Sequence, residues 1–276
     1  MTRFEIPQMK AARIGDINLG YHVAGTGDPV LLIMGYTMAG RVWVHQWPTL
    51  AEHHAVAFYD NRGVGATDAP GGAYSMHQLA SDAVGLLDHL GWQTAHVVGV
   101  SMGGMIAQHV ALSVPDRVRT LTLIATTAGG RTAALPTARG LRHFLRAQVG
   151  NTEKRLDSLT RLLFPPEFIA SADVSWLRDV MRHDFTHAPV PFSSRRSQLA
   201  AILRHDVRRT LPRMARIPTL IVRPGKDALI APKESDRLKA LIPHAQVLRL
   251  DDAGHGAIRQ CKDRVNEALL QHFATV

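Results

Sequence analysis

The run Val97-Val98-Gly99-Val100-Ser101-Met102-Gly103-Gly104-Met105 constrains this chain more than any other stretch. β-Branched apolar residues suited to a buried strand stop at Gly-x-Ser-x-Gly, and helix-compatible sequence runs on from Met102 to Ser113. A strand that turns this sharply into a helix carries its serine at the tip. A serine hydroxyl is a weak nucleophile until a base takes its proton, so it gains from standing where an imidazole and a substrate can both reach it. Gly99 and Gly103, without Cβ atoms, allow the turn to pack closely and the backbone at position 101 to adopt a strained conformation. Met102 opens the helix, and its N–H is placed by this reading as half of an oxyanion hole.

With 276 residues, the chain accommodates one large α/β domain with an inserted subdomain. Hydrophobic residues make up 46%, yet no run of eighteen is apolar and residues 1–14 hold no stretch suited to a signal peptide. The expectation is a cytoplasmic protein with no membrane partner. A single cysteine, Cys261, excludes an internal disulfide and any thiol-based metal cluster. The net charge of +9 is concentrated: residues 131–216 hold 16 Lys plus Arg against 7 Asp plus Glu, and the rest of the chain balances. Nearly all of those cations are arginines. They lack the basic helix or aromatic-interleaved patch of a nucleic-acid module, so no nucleic-acid partner is expected. Two readings remain for the segment: an arginine-leaning solvated surface, or one that attracts an anionic substrate or an acidic partner.

Along the chain, residues 4–24 read as two short strands joined over Ile14 to Asn18, followed by the turn Gly25-Thr26-Gly27-Asp28-Pro29. Val30 to Met34 and Ala55 to Tyr59 read as strands buried on both faces, separated by a short helix with Trp43 and Trp47. Ser75 to Leu90 has helical spacing, with Ser75 as N-cap and Gly91 at C′. Arg119 to Ala125 is the next strand. The alternation of strand and helix predicts a mostly parallel, doubly wound sheet. From Gly129 the rhythm stops: residues 131–212 hold helix-like pieces broken by Pro136, Pro165-Pro166 and Pro189-x-Pro191, the pattern of an inserted helical lid. Pro218 to Arg223 resumes the sheet, a helix spans Pro232 to Leu241, Ala245 to Leu250 forms a strand, and a helix from about Arg259 to Phe273 closes the chain. The predicted division is a core of 1–130 and 213–276 with a lid of 131–212.

Ligands of open parallel sheets bind at the carboxyl ends of the strands. Four loops there carry Gly35-Tyr36, Ser101-Met102, Asp227 and His255. A nucleophile, a carboxylate and an imidazole at one sheet edge are the parts of a triad: Ser101 attacks, His255 moves the proton, and Asp227 orients the ring. The N–H groups of Tyr36 and Met102 receive the oxyanion. Asp251 and Asp252 are rival acids, disfavoured because neighbours in the same loop rarely fold back onto its ring. The loop Asp60-Asn61-Arg62-Gly63-Val64-Gly65 is read as structural, with Arg62 bonding backbone beside a strand end. His53, His54, His89, His96 and His109 lie away from the carboxyl edge, and no pair has zinc-site spacing, so neither metal nor cofactor is required.

The order nucleophile, acid, histidine, together with Gly99-Val100-Ser101-Met102-Gly103-Gly104, the Asp60 to Gly65 loop and Ala253-Gly254-His255, resembles the α/β-hydrolase fold superfamily in its lidded branch of small esterases, lactonases, cofactor-free perhydrolases and C–C bond hydrolases. The resemblance implies an α/β-hydrolase fold and hydrolysis of a small to medium carboxylic ester or lactone through an acyl-enzyme, with perhydrolysis, or cleavage of a thioester or C–C bond by the same triad, as the alternatives. A serine at the nucleophile position sets aside the carboxylate-dependent dehalogenases and epoxide hydrolases of that fold. Many relatives carry His-Gly after the third strand where this chain has Met34-Gly35, so whatever fixes that loop must come from elsewhere. Gly35, Phe144 and Trp176 are the expected substrate-binding residues. The apolar lid residues Leu141, Leu145, Leu162, Leu163, Phe164 and Phe168 face either substrate or core. A receptor-like protein with an acidic partner on the arginine-rich segment is the alternative outside enzymology.

Overall fold

The computed structural model describes residues 8–276 except 131, 132, 134, 187 and 189. The predicted strand onset at residue 4, the predicted lid boundary at 131 and Pro189 therefore lie outside the described residues. Eight strands form one sheet: β1 (Lys10–Ile14), β2 (Ile17–Ala24), β3 (Asp28–Ile33), β4 (His54–Tyr59), β5 (Ala95–Val100), β6 (Val118–Ile124), β7 (Thr219–Pro224) and β8 (Gln246–Leu250). Their spatial order is β1-β2-β4-β3-β5-β6-β7-β8. β1 and β2 pair antiparallel, as do β2 and β4, and every later pairing is parallel. The chain thus has the mostly parallel, helix-flanked sheet expected of an α/β-hydrolase fold. The β1–β2 connection is tighter than predicted: Ile14 pairs with Ile17, leaving only Gly15 and Asp16 in the turn.

The continuous apolar runs become central strands because both faces of the sheet are covered. Side chains alternate along β3, so Leu31 and Ile33 enter one core while Val30 and Leu32 enter the other. The first core lies under α2 (Met76–His89), α3 (Met102–Ser113) and α9 (Pro232–Leu241); the second lies under α1 (Trp47–Ala51), α10 (Ala257–Gln260) and α11 (Lys262–Phe273). Ser75 caps α2 by accepting the Gln78 N–H at 3.1 Å, and Gly91 follows the helix at φ +69°. The closing helix predicted from about Arg259 is two pieces. α10 turns Ala257 and Ile258 inward near the 3-10 turn at Gly40–His45, whereas α11 lies along the sheet, and the chain bends between them at Cys261.

Between β6 and β7 the chain runs through α4 (Ala138–Arg146), α5 (Thr152–Leu163), α6 (Pro166–Ser171), α7 (Val174–Thr186) and α8 (Phe192–Arg204). Leu156, Leu163, Phe164, Leu177 and Met181 give this helical insertion a small core of its own. Among the described residues, no helix is long and apolar enough to cross a membrane.

The polar loop after β4 differs from its expected chemistry. Among the described residues the Arg62 side chain does not bond backbone; its guanidinium forks onto Asp82 (2.7 and 2.9 Å) and Asp16 (2.7 and 2.9 Å). It is Asp60 that holds backbone, accepting the N–H groups of Gly40 at 2.7 Å and Ala66 at 2.8 Å. Arg62 and Asp82 are buried while Asp16 is exposed. Removing the arginine strands a buried carboxylate, so Arg62→Ala is expected to cost about 3–5 kcal/mol in urea unfolding. Asp16→Ala, on the exposed side of the same fork, is expected to cost less than about 1 kcal/mol.

Burial also pushes His96, His109 and His205 down to about 4. The unfolded chain takes up these protons near the ordinary histidine value of about 6.5, while the folded chain resists until about pH 4. Stability is therefore full above that upper value and is lost as the pH falls towards the lower one. The urea midpoint is expected to drop steadily across this window, with a shallower slope for His109→Phe, which removes one of the groups.

Candidate active site

Ser101 joins β5 to α3 with φ 57° and ψ −121°, a conformation that L-residues rarely adopt. Neighbouring elements hold it there. Its N–H donates to Ile124 O at 2.9 Å, and its carbonyl accepts from Gly104 N at 3.0 Å and Thr126 Oγ1 at 2.7 Å. The turn can come this close because of two glycines. A Cβ on Gly99 would lie 2.2 Å from Gly103 O, and one on Gly103 would lie 2.1 Å from Ile33 O at the end of β3. Gly35 follows β3 against the same serine, its Cβ position 3.2 Å from Ser101 Cβ. This is the strand–turn–helix geometry of a nucleophile elbow.

His255, in the loop after β8, is buried, and its Nδ1 lies 2.7 Å from Asp227 Oδ2. The other carboxylate oxygen of Asp227 accepts the N–H groups of Leu229 at 2.8 Å and Ile230 at 2.9 Å, so the acid is held from both sides. Asp251 and Asp252, the rival acids, are exposed. Ser101, His255, Gly35, Tyr36 and Phe144 all line one cavity of about 580 Å³. Met102 is buried just behind it, and among the described residues neither the Met102 nor the Tyr36 backbone N–H donates a hydrogen bond within the protein.

Trp176 is the exception among the residues expected to bind substrate. It lies outside the cavity wall, packed edge-on against Phe168 with ring centroids 6.4 Å apart. The reason is the phase of α7: Trp176 turns towards α6, whereas Asp184, two turns further along, reaches the cavity. Of the apolar residues left open by sequence, Leu141, Leu162, Leu163 and Phe164 line the cavity, and Leu145 and Phe168 do not.

Several contributors carry no role in the sequence reading, whether inside the Asp60 to Gly65 loop, as Asn61 is, or far from any motif, as Gln198 and Asp184 are. Asn61 Nδ2 donates to Met34 O at 2.8 Å, and Gln198 Oε1, on α8, accepts the Thr37 N–H at 3.0 Å. These bonds fix the loop that lacks the His-Gly pair. The end of α5 braces the histidine loop, with Gly256 N donating to Leu163 O at 2.9 Å. Arg259 pairs with Asp184 in the cavity wall, and Arg41 donates to His183 O at 3.1 Å beside them. No local pattern distinguishes Gln198 or Asp184 in the sequence; each is one polar residue on an amphipathic helix.

Comparison with known proteins agrees with this geometry. The family model described as alpha/beta hydrolase fold matches residues 28–258. The chain belongs to the α/β hydrolase fold family. A protein of Azorhizobium caulinodans carrying the name carbamate hydrolase RutD is 30% identical over 262 residues, covering 95% of this chain and 97% of that protein. The 3-oxoadipate enol-lactonase 2 of Acinetobacter baylyi is 29% identical, covering 94% and 95%. The crystal structure of a bromoperoxidase from Bacillus anthracis superposes with a TM-score of 0.81 at 26% identity, covering 97% of this chain and all (100%) of that one. As a test of the elbow, Gly103→Ala forces a Cβ into the Ile33 carbonyl and is expected to cost about 1–3 kcal/mol in thermal unfolding. Gly71→Ala, which meets nothing within 4 Å, is expected to leave the transition in place.

Proposed function

We propose that this α/β-hydrolase-fold protein is a serine hydrolase that cleaves a carboxylic ester or lactone through an acyl-enzyme. The hydrogen bond to a buried, doubly anchored Asp227 from His255, which lines one cavity with Ser101, carries the reading. In the proposed mechanism Ser101 Oγ attacks the carbonyl carbon as His255 Nε2 takes its proton. The Asp227 carboxylate holds the imidazole with Nδ1–H facing inward and stabilises the imidazolium. Charge developing on the carbonyl oxygen is met by the unpaired N–H groups of Met102 and Tyr36, donors already in place before reaction. The imidazolium returns its proton to the leaving alcohol; water, activated by the same base, then attacks the acyl-enzyme and frees the acid and Ser101. An imidazole base activates the nucleophile here, so the reaction as proposed calls on no metal or cofactor.

Residues 131–212 act in this proposal as a lid, a role supported by Phe144, Leu163 and the α8 residues in the cavity wall. The likeness to a bromoperoxidase supports a second reaction of the same acyl-enzyme, in which hydrogen peroxide replaces water and the product is a peracid. The concentrated positive charge of residues 131–216 supports docking of an acidic partner on the lid, a salt-sensitive association that would survive Ser101→Ala.

Ser101→Ala is expected to fold normally and to lower kcat/KM on p-nitrophenyl acyl esters by about 10⁴-fold or more; Asp227→Asn is expected to lose about 10⁴-fold. A fluorophosphonate probe should label the parent protein and not Ser101→Ala. Undiminished hydrolysis by Ser101→Ala would refute the assignment, and bromide oxidation in acetate and peroxide separates perhydrolysis from simple hydrolysis.

A further inference from the structure

The wall of the cavity that holds Ser101 and His255 is apolar except at a few places, and its charges do not balance. Arg155, Arg195, Arg259 and Asp184 all line it. Arg259 and Asp184 are both buried and paired with each other, and Asp184 also meets His183 Nδ1 at 2.9 Å, so that aspartate is already engaged. Arg155 and Arg195 remain. Arg155 donates its Nε to Ala147 O at 3.1 Å, and Arg195 donates its Nε to Val190 O at 3.1 Å. Among the described residues neither is in an ion pair with a carboxylate. A guanidinium tethered through Nε keeps its two terminal amino groups as donors, the fork that suits a carboxylate.

Arg195 also touches Tyr36, whose backbone N–H is one of the two proposed oxyanion donors. Tyr36 Oη donates to the Arg195 carbonyl at 3.3 Å, and the Arg195 charge acts on that phenol, partly offsetting the upward push of burial on it. Tyr36 in turn follows Gly35, which packs on Ser101. A cation beside an apolar wall attracts an anion far more strongly than it would in open water, because the surroundings screen the charges less. Two such cations, neither ion-paired with a carboxylate among the described residues, leave the cavity suited to a ligand that brings its own negative group.

We infer that the substrate's acyl portion bears a carboxylate, recognised by Arg195 together with Arg155: a half-ester of a dicarboxylic acid, or a lactone of a hydroxylated one. The inference rests on the serine-hydrolase reading above and adds its substrate class. An acyl-side carboxylate remains in the cavity through both acylation and deacylation, so the same two arginines orient the ester and the acyl-enzyme.

The test pairs esters of equal length that differ in one charge: the p-nitrophenyl half-esters of adipic and pimelic acid against p-nitrophenyl hexanoate and heptanoate. The parent protein is expected to prefer the anionic member by about 10- to 100-fold in kcat/KM, the range of one charge-assisted hydrogen-bonded contact. Arg195→Gln and Arg155→Gln are each expected to erode that ratio about tenfold or more, chiefly through KM, and added salt is expected to erode it for the parent protein. Residual hydrolysis of the neutral ester reports that each variant is folded. Equal rates on the two members of a pair, or variants that slow both members alike, overturn the inference while Ser101-dependent hydrolysis stands. Loss of the serine reading has a different signature, namely hydrolysis of both esters that persists in Ser101→Ala. Calorimetric titration of Ser101→Ala with adipate gives a readout without turnover: binding that vanishes with Arg195→Gln supports the inference, and no binding counts against it.

Discussion

The constraint on which the rest of the structure depends is the contact between the elbow and the end of β3. Gly103 sits where any side chain would strike the Ile33 carbonyl, and Gly99 sits where one would strike Gly103. That intimacy lets a single residue, Ser101, take a left-handed backbone conformation whose cost of order 1–3 kcal/mol is met by bonds to Ile124 and Thr126 on the next strand and its loop. The same contact sets α3 across the sheet and brings the loop after β3 alongside the serine. Strain at position 101, the helix start at Met102 and the position of Gly35 are therefore consequences of one packing arrangement.

The polar groups around the cavity form a second level of support, and the helical insertion provides much of it. Gln198 on α8 holds the loop after β3 through Thr37 and also donates to Arg62 O at 3.0 Å, joining two loops of the sheet edge. Leu163, at the end of α5, holds the histidine loop through Gly256. Asp184 on α7 meets Arg259 from α10. The insertion thus touches the loops carrying Tyr36 and His255 and walls the space between them. A helical segment with little sequence character acts here through single polar groups: the Gln198 amide and the Leu163 carbonyl satisfy loop backbone, and the Asp184 carboxylate meets a buried guanidinium.

Much of this was legible in the chain itself, for local reasons. Apolar runs such as Val30 to Met34 mark strands buried on both faces, Ser75 and Gly91 mark the ends of a helix, and Gly-x-Ser-x-Gly after a strand admits few conformations. Because a parallel sheet places the loops after its strands along one edge, Tyr36, Ser101, Asp227 and His255 were expected as neighbours without knowledge of any distance. Asp60 and Arg62 illustrate the limit of such reasoning. Their loop reads as structural, yet which of the two takes backbone and which takes carboxylates depends on where Asp16 and Asp82 arrive.

What the amino-acid order determined alone was the alternation of strand and helix, the sharp turn at Ser101 and the set of loops that share an edge, since each follows from side-chain periodicity and the φ/ψ preferences of glycine. What only tertiary structure decided was the wall of the cavity. Trp176 and Asp184 lie on one helix, and the aromatic residue that composition favours turns to its own small core while the carboxylate reaches the cavity beside Arg259. Helical spacing states which residues share a face; the direction that face takes is set by how α5, α7 and α8 pack over the sheet edge, and that packing is a sum of long-range contacts no local stretch encodes.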